Sequence, residues 1–149
     1  MSTRERTYAL ADIGDRLPAG CRYLGIELDP GFHALLQERY PKLEFVCASA
    51  ADVVDLLRAR GLPMPARIIS GLPFASLPAA VQDSVIDSVV ACLRGGGEFR
   101  TFQYVHAYGL EKARRFRSRM AGRFHGFERI GPVLRNVPPA FVLRYWHAR

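Results

Sequence analysis

Arg22-Tyr23-Leu24-Gly25-Ile26-Glu27-Leu28 is a short apolar run closed by Asp29-Pro30-Gly31, the pattern of a buried strand that ends in a turn. Its reading decides the fold. Phe32, Leu35, Leu36 and Tyr40 follow at helical spacing, Leu43 to Cys47 is a second strand candidate, and Val53, Val54, Leu56 and Leu57 give a helix that stops at Gly61 and Pro63. Strand, helix, strand, helix is the rhythm of βαβ units, which lay strands parallel and cover them with helices.

The rhythm extends in both directions. Downstream, Arg67-Ile68-Ile69-Ser70-Gly71 is a third strand, followed by the loop Leu72-Pro73-Phe74-Ala75-Ser76-Leu77-Pro78 and a long helix with Val81, Val85, Val89, Cys92 and Leu93 on one face. Gly95-Gly96-Gly97 leads into a strand from Glu98 to Val105. Leu110, Ala113, Phe116, Met120 and Phe124 mark another amphipathic helix. The runs Phe127 to Val137 and Phe141 to His147, joined at Pro138-Pro139-Ala140, are close enough for a hairpin, so the last strand is expected to enter the sheet antiparallel. Upstream, Ala9, Leu10, Ile13 and Leu17 predict a short helix over Thr7 to Leu17, ended by Pro18-Ala19-Gly20. The expected class is α/β, with a mainly parallel sheet and a C-terminal antiparallel hairpin, in one domain spanning residues 1–149.

Composition bounds the function. Apolar residues make up 49% and charged residues 23%, a globular balance rather than a disordered or fibrous one. No apolar run approaches the roughly 18 to 20 residues that cross a bilayer. The first six residues, Met1-Ser2-Thr3-Arg4-Glu5-Arg6, lack the apolar core of a secretion signal, so a cytoplasmic location is expected. Cys21, Cys47 and Cys92 are odd in number and lack C-x-x-C spacing. They predict neither a disulfide framework nor a zinc site and read as buried small side chains. His33, His106, His125 and His147 show no paired spacing, and no metal site is expected. Twenty-one Lys and Arg against fourteen Asp and Glu leave a charge of +7, which suits an anionic partner such as lipid headgroups or nucleic acid.

In open α/β sheets ligands bind beyond the carboxyl ends of the strands, which directs attention to three junctions. Glu27, with Leu28 beside it, is an acid at the end of an apolar strand, where a carboxylate can accept from both hydroxyls of a ribose. Asp29 is the better placed cap for the following helix. Ala48-Ser49-Ala50 follows the second strand with small residues that suit the lining of a purine pocket or a tight turn. In Ser70-Gly71-Leu72-Pro73-Phe74, Gly71 permits close backbone approach, Pro73 stiffens the loop, and Phe74 offers a ring face to a planar or cationic group. An ordinary loop with a packed Phe has the same local pattern.

Taken in order, these junctions resemble the S-adenosylmethionine-dependent methyltransferases with a Rossmann-like fold. Gly25-Ile26-Glu27-Leu28-Asp29-Pro30 is similar to the family's second motif, and Leu93-Arg94-Gly95-Gly96-Gly97-Glu98-Phe99 to the turn before its fifth strand, so the triple Gly reads as a connection rather than a phosphate cradle. Within that superfamily, Ile69-Ser70-Gly71-Leu72-Pro73-Phe74 together with Arg135-Asn136-Val137-Pro138-Pro139-Ala140 resembles the bacterial phospholipid N-methyltransferases, which methylate phosphatidylethanolamine. The resemblance runs from about Arg22 to the end of the chain. It implies S-adenosylmethionine as cofactor, bound by Glu27, Leu28, Ser49, Ala50, Ser70 and Gly71, and an acceptor amine held by Ser70, Pro73 and Phe74.

Two departures accompany it. The sequence contains no counterpart of the family's first strand and Glu-x-Gly-x-Gly-Thr-Gly loop, so the domain is expected to be incomplete at its N-terminal side and to bind the cofactor weakly or not at all. Ser49 stands where the family has an Asp, and a hydroxyl replaces only part of that residue's bond to the adenine amine. Two alternatives stay open: a ribosomal RNA adenine dimethyltransferase, in whose family Asn stands at the place of Ser70, and a non-catalytic remnant that binds anionic surfaces.

Lys112, Arg114, Arg115, Arg117, Arg119 and Arg123 form the densest charge cluster, on the helix that also carries Phe116, Met120 and Phe124. Such a helix reads either as a solvated face or as a peripheral contact with an anionic membrane, on its inner face.

Overall fold

The computed structural model describes residues 17–148. All but the last residue of the helix expected over Thr7 to Leu17 lies outside the described residues. The elements are β1 (Leu24–Glu27), α1 (Pro30–Arg39), β2 (Glu44–Cys47), α2 (Val53–Ala59), β3 (Arg67–Ile69), α3 (Ala79–Leu93), β4 (Gly97–Tyr104), α4 (Glu111–Ala121), β5 (Gly126–Val133) and β6 (Ala140–His147), with single 3-10 turns at Ala50–Asp52 and Val105–Ala107. They fall into two compact units that divide between Ala50 and Ala51.

In the first unit β1 and β2 lie parallel, from Leu24 opposite Glu44 to Glu27 opposite Cys47, because the chain returns through α1. Asp29 starts that helix as expected. Its Oδ1 accepts the Phe32 amide at 2.8 Å, and Pro30, which has no amide hydrogen to leave unpaired, takes the first turn. Phe45 is the buried centre of this unit, and Gly25 lies so close beneath it that a Cβ there would collide with the ring.

The second unit holds a four-stranded sheet in the order β3-β4-β6-β5. β3 is parallel to β4, while β6 runs antiparallel to both β4 and β5, which delivers the expected C-terminal hairpin. Its core joins Val85, Ile86, Val89 and Leu93 of α3 to Phe116 and Met120 of α4 and to Phe99, Leu143 and Tyr145 of the sheet. Fully burying each such side chain contributes about 1.5 to 3 kcal/mol. The turn before β4 is tight: Gly96 and Gly97 have φ of 113° and 132°, and a Cβ on Gly97 would lie 2.9 Å from the Ala66 carbonyl oxygen. That is a helix-to-strand connection, as its sequence suggested.

Several expectations are corrected. Cys21 and Cys47 are exposed, and only Cys92 is a buried small side chain. Val81 is 45% exposed, and the polar Gln82 takes the place on the buried stripe of α3 that the spacing had given to Val81. β5 ends at Val133, so residues 134–137, expected to continue the strand, belong to the turn of the hairpin.

Candidate functional site

At the carboxyl end of β1, Glu27 is partly buried, and its Oε1 accepts the Asp29 amide at 3.0 Å. The bond fixes the carboxylate at the strand end, while Oε2 has no hydrogen-bond partner among the described residues. The Ala48 amide donates to the Glu27 carbonyl at 3.0 Å, so the chain segment Ala48-Ser49-Ala50 leaves β2 directly alongside Glu27. Leu28 is 69% exposed at the same end. The first unit therefore brings Glu27, Leu28, Ser49 and Ala50 to one edge of its two-stranded sheet.

In the second unit, Ser70 follows β3 and is tied to β4: its amide donates to the Arg100 carbonyl at 2.9 Å, and its carbonyl accepts Thr101 Oγ1 at 3.1 Å. Ser70 Oγ accepts the Leu72 amide at 3.2 Å, which folds the loop back on itself. The Leu72 carbonyl accepts the Phe74 amide, and the Pro73 carbonyl accepts the amides of Ser76 and Leu77. Gly71 and Pro73 are exposed, and a Cβ on Gly71 would meet no atom within 4 Å. Gly71 therefore leaves open space for a ligand to approach the backbone.

Phe74 does something other than its sequence suggested. It is 1% exposed, stacked on Phe116 with centroids 4.1 Å apart and edge-on to Phe99. Its ring faces belong to the core, so it anchors the loop rather than offering a surface to a cation. Its carbonyl accepts Gln82 Nε2 at 2.7 Å; the same nitrogen donates to the Lys112 carbonyl at 3.2 Å, and Gln82 Oε1 accepts Arg115 at 3.0 Å. Gln82, 1% exposed, thus locks the 70–74 loop to the start of α4. Sequence reading passed over Gln82 and Thr101. The one available signal was that the 3-4 spacing of Ile86 and Val89, continued backward, falls on Gln82.

α4 stops at Ala121, short of the Arg123 and Phe124 expected on it, and its arginines and Arg123 are largely paired within the fold. Arg115 and Arg119 flank Asp83 at 2.9 and 3.1 Å, and Arg123 meets Asp87 at 3.0 Å. Arg117 donates to Gln103 Oε1 and the Tyr108 carbonyl and lies 3.6 Å above the Tyr108 ring. The Arg115 hydrogen bond, helped by the charges of Arg115 and Arg119, holds the Asp83 carboxyl below its ordinary range. Neither a uniformly solvated face nor a uniform cationic patch describes this helix. Among the described residues no side-chain partner is seen for Lys112 or Arg114. The hairpin also joins two histidines that sequence spacing did not pair, His125 and His147, with Nδ1 atoms 3.0 Å apart. No group of three or more metal-ligating side chains occurs among the described residues.

A crossover that returns parallel, acids and small residues at strand ends, and an antiparallel final strand between its two neighbours form a recognisable topology. A TehB-like SAM-dependent methyltransferase from Corynebacterium glutamicum superposes over 98% of this chain and 95% of its own, with a TM-score of 0.57 at 15% identity. The fold is that of the Rossmann-like methyltransferases. TrmN from Thermus thermophilus matches 93% of this chain and 40% of its own, at a TM-score of 0.56 and 17% identity. In sequence, the chain is 29% identical over 133 residues to an ornithine lipid N-methyltransferase of Singulisphaera acidiphila, covering 86% of this chain. It spans 64% of that relative's length. No protein-family model matches it. The resemblance to methyltransferases read from the motifs stands; the sequence relative is a lipid N-methyltransferase, named for ornithine lipid rather than for phosphatidylethanolamine.

Proposed function

We propose that this chain is an S-adenosylmethionine-dependent methyltransferase that acts on the amine of a membrane-lipid headgroup, of the phosphatidylethanolamine or ornithine-lipid kind. The observation that carries this reading is the 70–74 loop, whose backbone is locked from behind by Thr101 and Gln82 while Gly71 stays open. The similarity to an ornithine lipid N-methyltransferase supports the lipid branch over RNA.

The residues present suit the nucleoside part of the cofactor. A carboxylate fixed at the end of β1, with one oxygen lacking a partner among the described residues, fits a ribose diol, and Ser49 with Ala50 supplies a small, hydroxyl-bearing lining for the base. The cofactor, when bound, supplies a methyl group on a sulfonium. The chain's own task is to hold a neutral amine in line with that methyl; the 70–74 loop carries no titratable side chain, so the ammonium formed when the nitrogen takes the methyl loses its proton to solvent.

The loop limits how this can be done. The carbonyls of Ser70, Leu72, Pro73 and Phe74 all accept internal donors, whereas the Gly71 carbonyl has none among the described residues. Ser70 Oγ accepts only the Leu72 amide and retains its own proton and a second lone pair. In this reading the Gly71 carbonyl and Ser70 Oγ hold the amine N–H groups, which orients the nitrogen lone pair away from the loop. Pro73 keeps the loop stiff, and Phe74 acts as its anchor. The test is lipid analysis of a bacterial host that makes only unmethylated amino lipids and expresses this chain. Mono- or dimethylated headgroup amines that vanish in Gly71→Val are expected; an unaltered lipid profile would count against the reading.

A further inference from the structure

We infer that the turn joining β5 to β6 docks on an anionic lipid bilayer, inserting Leu134 and Val137 between the headgroups. The inference deepens the lipid reading above and rests on it for the class of partner.

The first observation is exposure. Leu134 is 72% and Val137 78% exposed, with Val133 beside them at 42%. Scattered exposed apolar residues are ordinary, but three within five positions at the tip of a hairpin form a patch that water hydrates poorly. The second is charge. Arg135 sits between them in sequence, and the exposed Lys112 and Arg114 open α4; none of the three has a side-chain partner among the described residues. Glu111 is the acid in that first turn. An apolar tip that carries Arg135, with Lys112 and Arg114 on the first turn of α4 unpaired among the described residues, matches an anionic interface, where each Lys or Arg adds attraction and the apolar groups enter the acyl boundary.

The third observation is position. Tyr104, the last residue of β4, pairs with Ala140, the first of β6, and the Val105 amide donates to the Pro139 carbonyl at 2.9 Å. The turn therefore lies at the carboxyl end of β4. β3 runs parallel to β4, so the 70–74 loop leaves the sheet at that same end. Gln82 ties the loop to Lys112, at the start of α4. A bilayer met by this turn would present its headgroups on the side of the sheet where the acceptor loop opens. This relocates the membrane contact from the body of the Arg-rich helix, most of whose arginines pair within the protein, to the hairpin tip and the first turn of α4.

The full chain should be sedimented with phosphatidylglycerol-containing and with pure phosphatidylcholine vesicles, beside Leu134→Ser/Val137→Ser, Lys112→Gln/Arg114→Gln/Arg135→Gln and, at the opposite end of β3, Met64→Ser. The expected result is retention by anionic vesicles only, weakened about tenfold or more in the double and triple variants and unchanged in Met64→Ser. No retention of the wild-type chain, a double variant that binds as well as wild type, or stronger retention on structured RNA than on the anionic vesicles would overturn the inference. Methyl transfer measured in detergent micelles separates the two claims. Transfer without vesicle binding removes the docking surface and keeps the enzyme; vesicle binding that depends on Leu134 and Val137 without transfer does the reverse.

Discussion

Gln82 and Phe74 are joined by a buried hydrogen bond, side-chain Nε2 to backbone carbonyl, 2.7 Å long. Through it one residue of α3 fixes the loop that opens at the carboxyl end of β3, and the same amide reaches Lys112 and Arg115 on α4. Gln82→Leu preserves volume but leaves the buried Phe74 carbonyl without its donor and takes one partner each from the Lys112 carbonyl and from Arg115, which keeps Asp83. Urea denaturation should show a loss of about 2 to 3 kcal/mol, the cost of leaving buried groups unsatisfied. Stability within about 0.5 kcal/mol of wild type would mean that the loop does not depend on this residue.

Tyr145 is fully buried, and its hydroxyl has no hydrogen-bond partner among the described residues. Burial pushes the phenol's pKa up, so the hydroxyl stays protonated and contributes little. Tyr145→Phe is expected to leave stability unchanged or to raise it by about 1 kcal/mol. A loss of more than about 1 kcal/mol in thermal unfolding would reveal a partner for that oxygen.

Acid should destabilise the second unit through two carboxylates. Asp83 is held low by Arg115, helped by Arg119; Glu98 is held low because its bonds to Arg100 and Arg144 outweigh the desolvation that would raise it. A depressed folded-state pKa means that the unfolded chain binds protons first, so the stabilisation is complete above the ordinary carboxyl range of about 4 and is lost as pH falls through the lower folded values. Unfolding followed from neutral pH to about pH 3 should show this decline, and Asp83→Asn should flatten it. An equal slope in the variant would assign the acid sensitivity to other groups.

The His125–His147 pair works in a neighbouring window. Desolvation and the nearby His125 lower the pKa of His147, so the unfolded chain protonates near pH 6.5 while the folded chain resists. Stability should therefore drop as pH falls below about 6.5, and His147→Gln should remove that step. A variant that keeps the step would locate it elsewhere.

What the sequence made legible was local. The β1 run with its Asp29 cap, the Gly96-Gly97 connection and the alternating rhythm are each decided within a few residues, so propensity and spacing sufficed. What it hid depends on packing between distant segments. Phe74 looks the same in sequence whether its ring meets a ligand or Phe116, and only the placement of α4 decides it. Arg115, Arg119 and Arg123 read as free charges because Asp83 and Asp87 lie on another helix. Cys47 read as a buried small side chain because number and spacing offered the cysteines neither a disulfide nor a zinc site, yet it lies at the exposed end of β2.

Glu27 is the residue on which the cofactor assignment turns. Isothermal titration of the full chain with S-adenosylhomocysteine, wild type against Glu27→Ala, should show binding weakened by about 1.5 to 3 kcal/mol, the range for a hydrogen bond to a charged group. Equal affinities would remove Glu27 from the ribose.

The central claim is transfer of a methyl group to a lipid amine. The most direct measurement supplies the purified chain with methyl-labelled S-adenosylmethionine and offers phosphatidylethanolamine, ornithine lipid and structured RNA side by side. The account predicts label on the headgroup nitrogen of at least one lipid and none on RNA. Label on RNA alone, or on no acceptor, would contradict it.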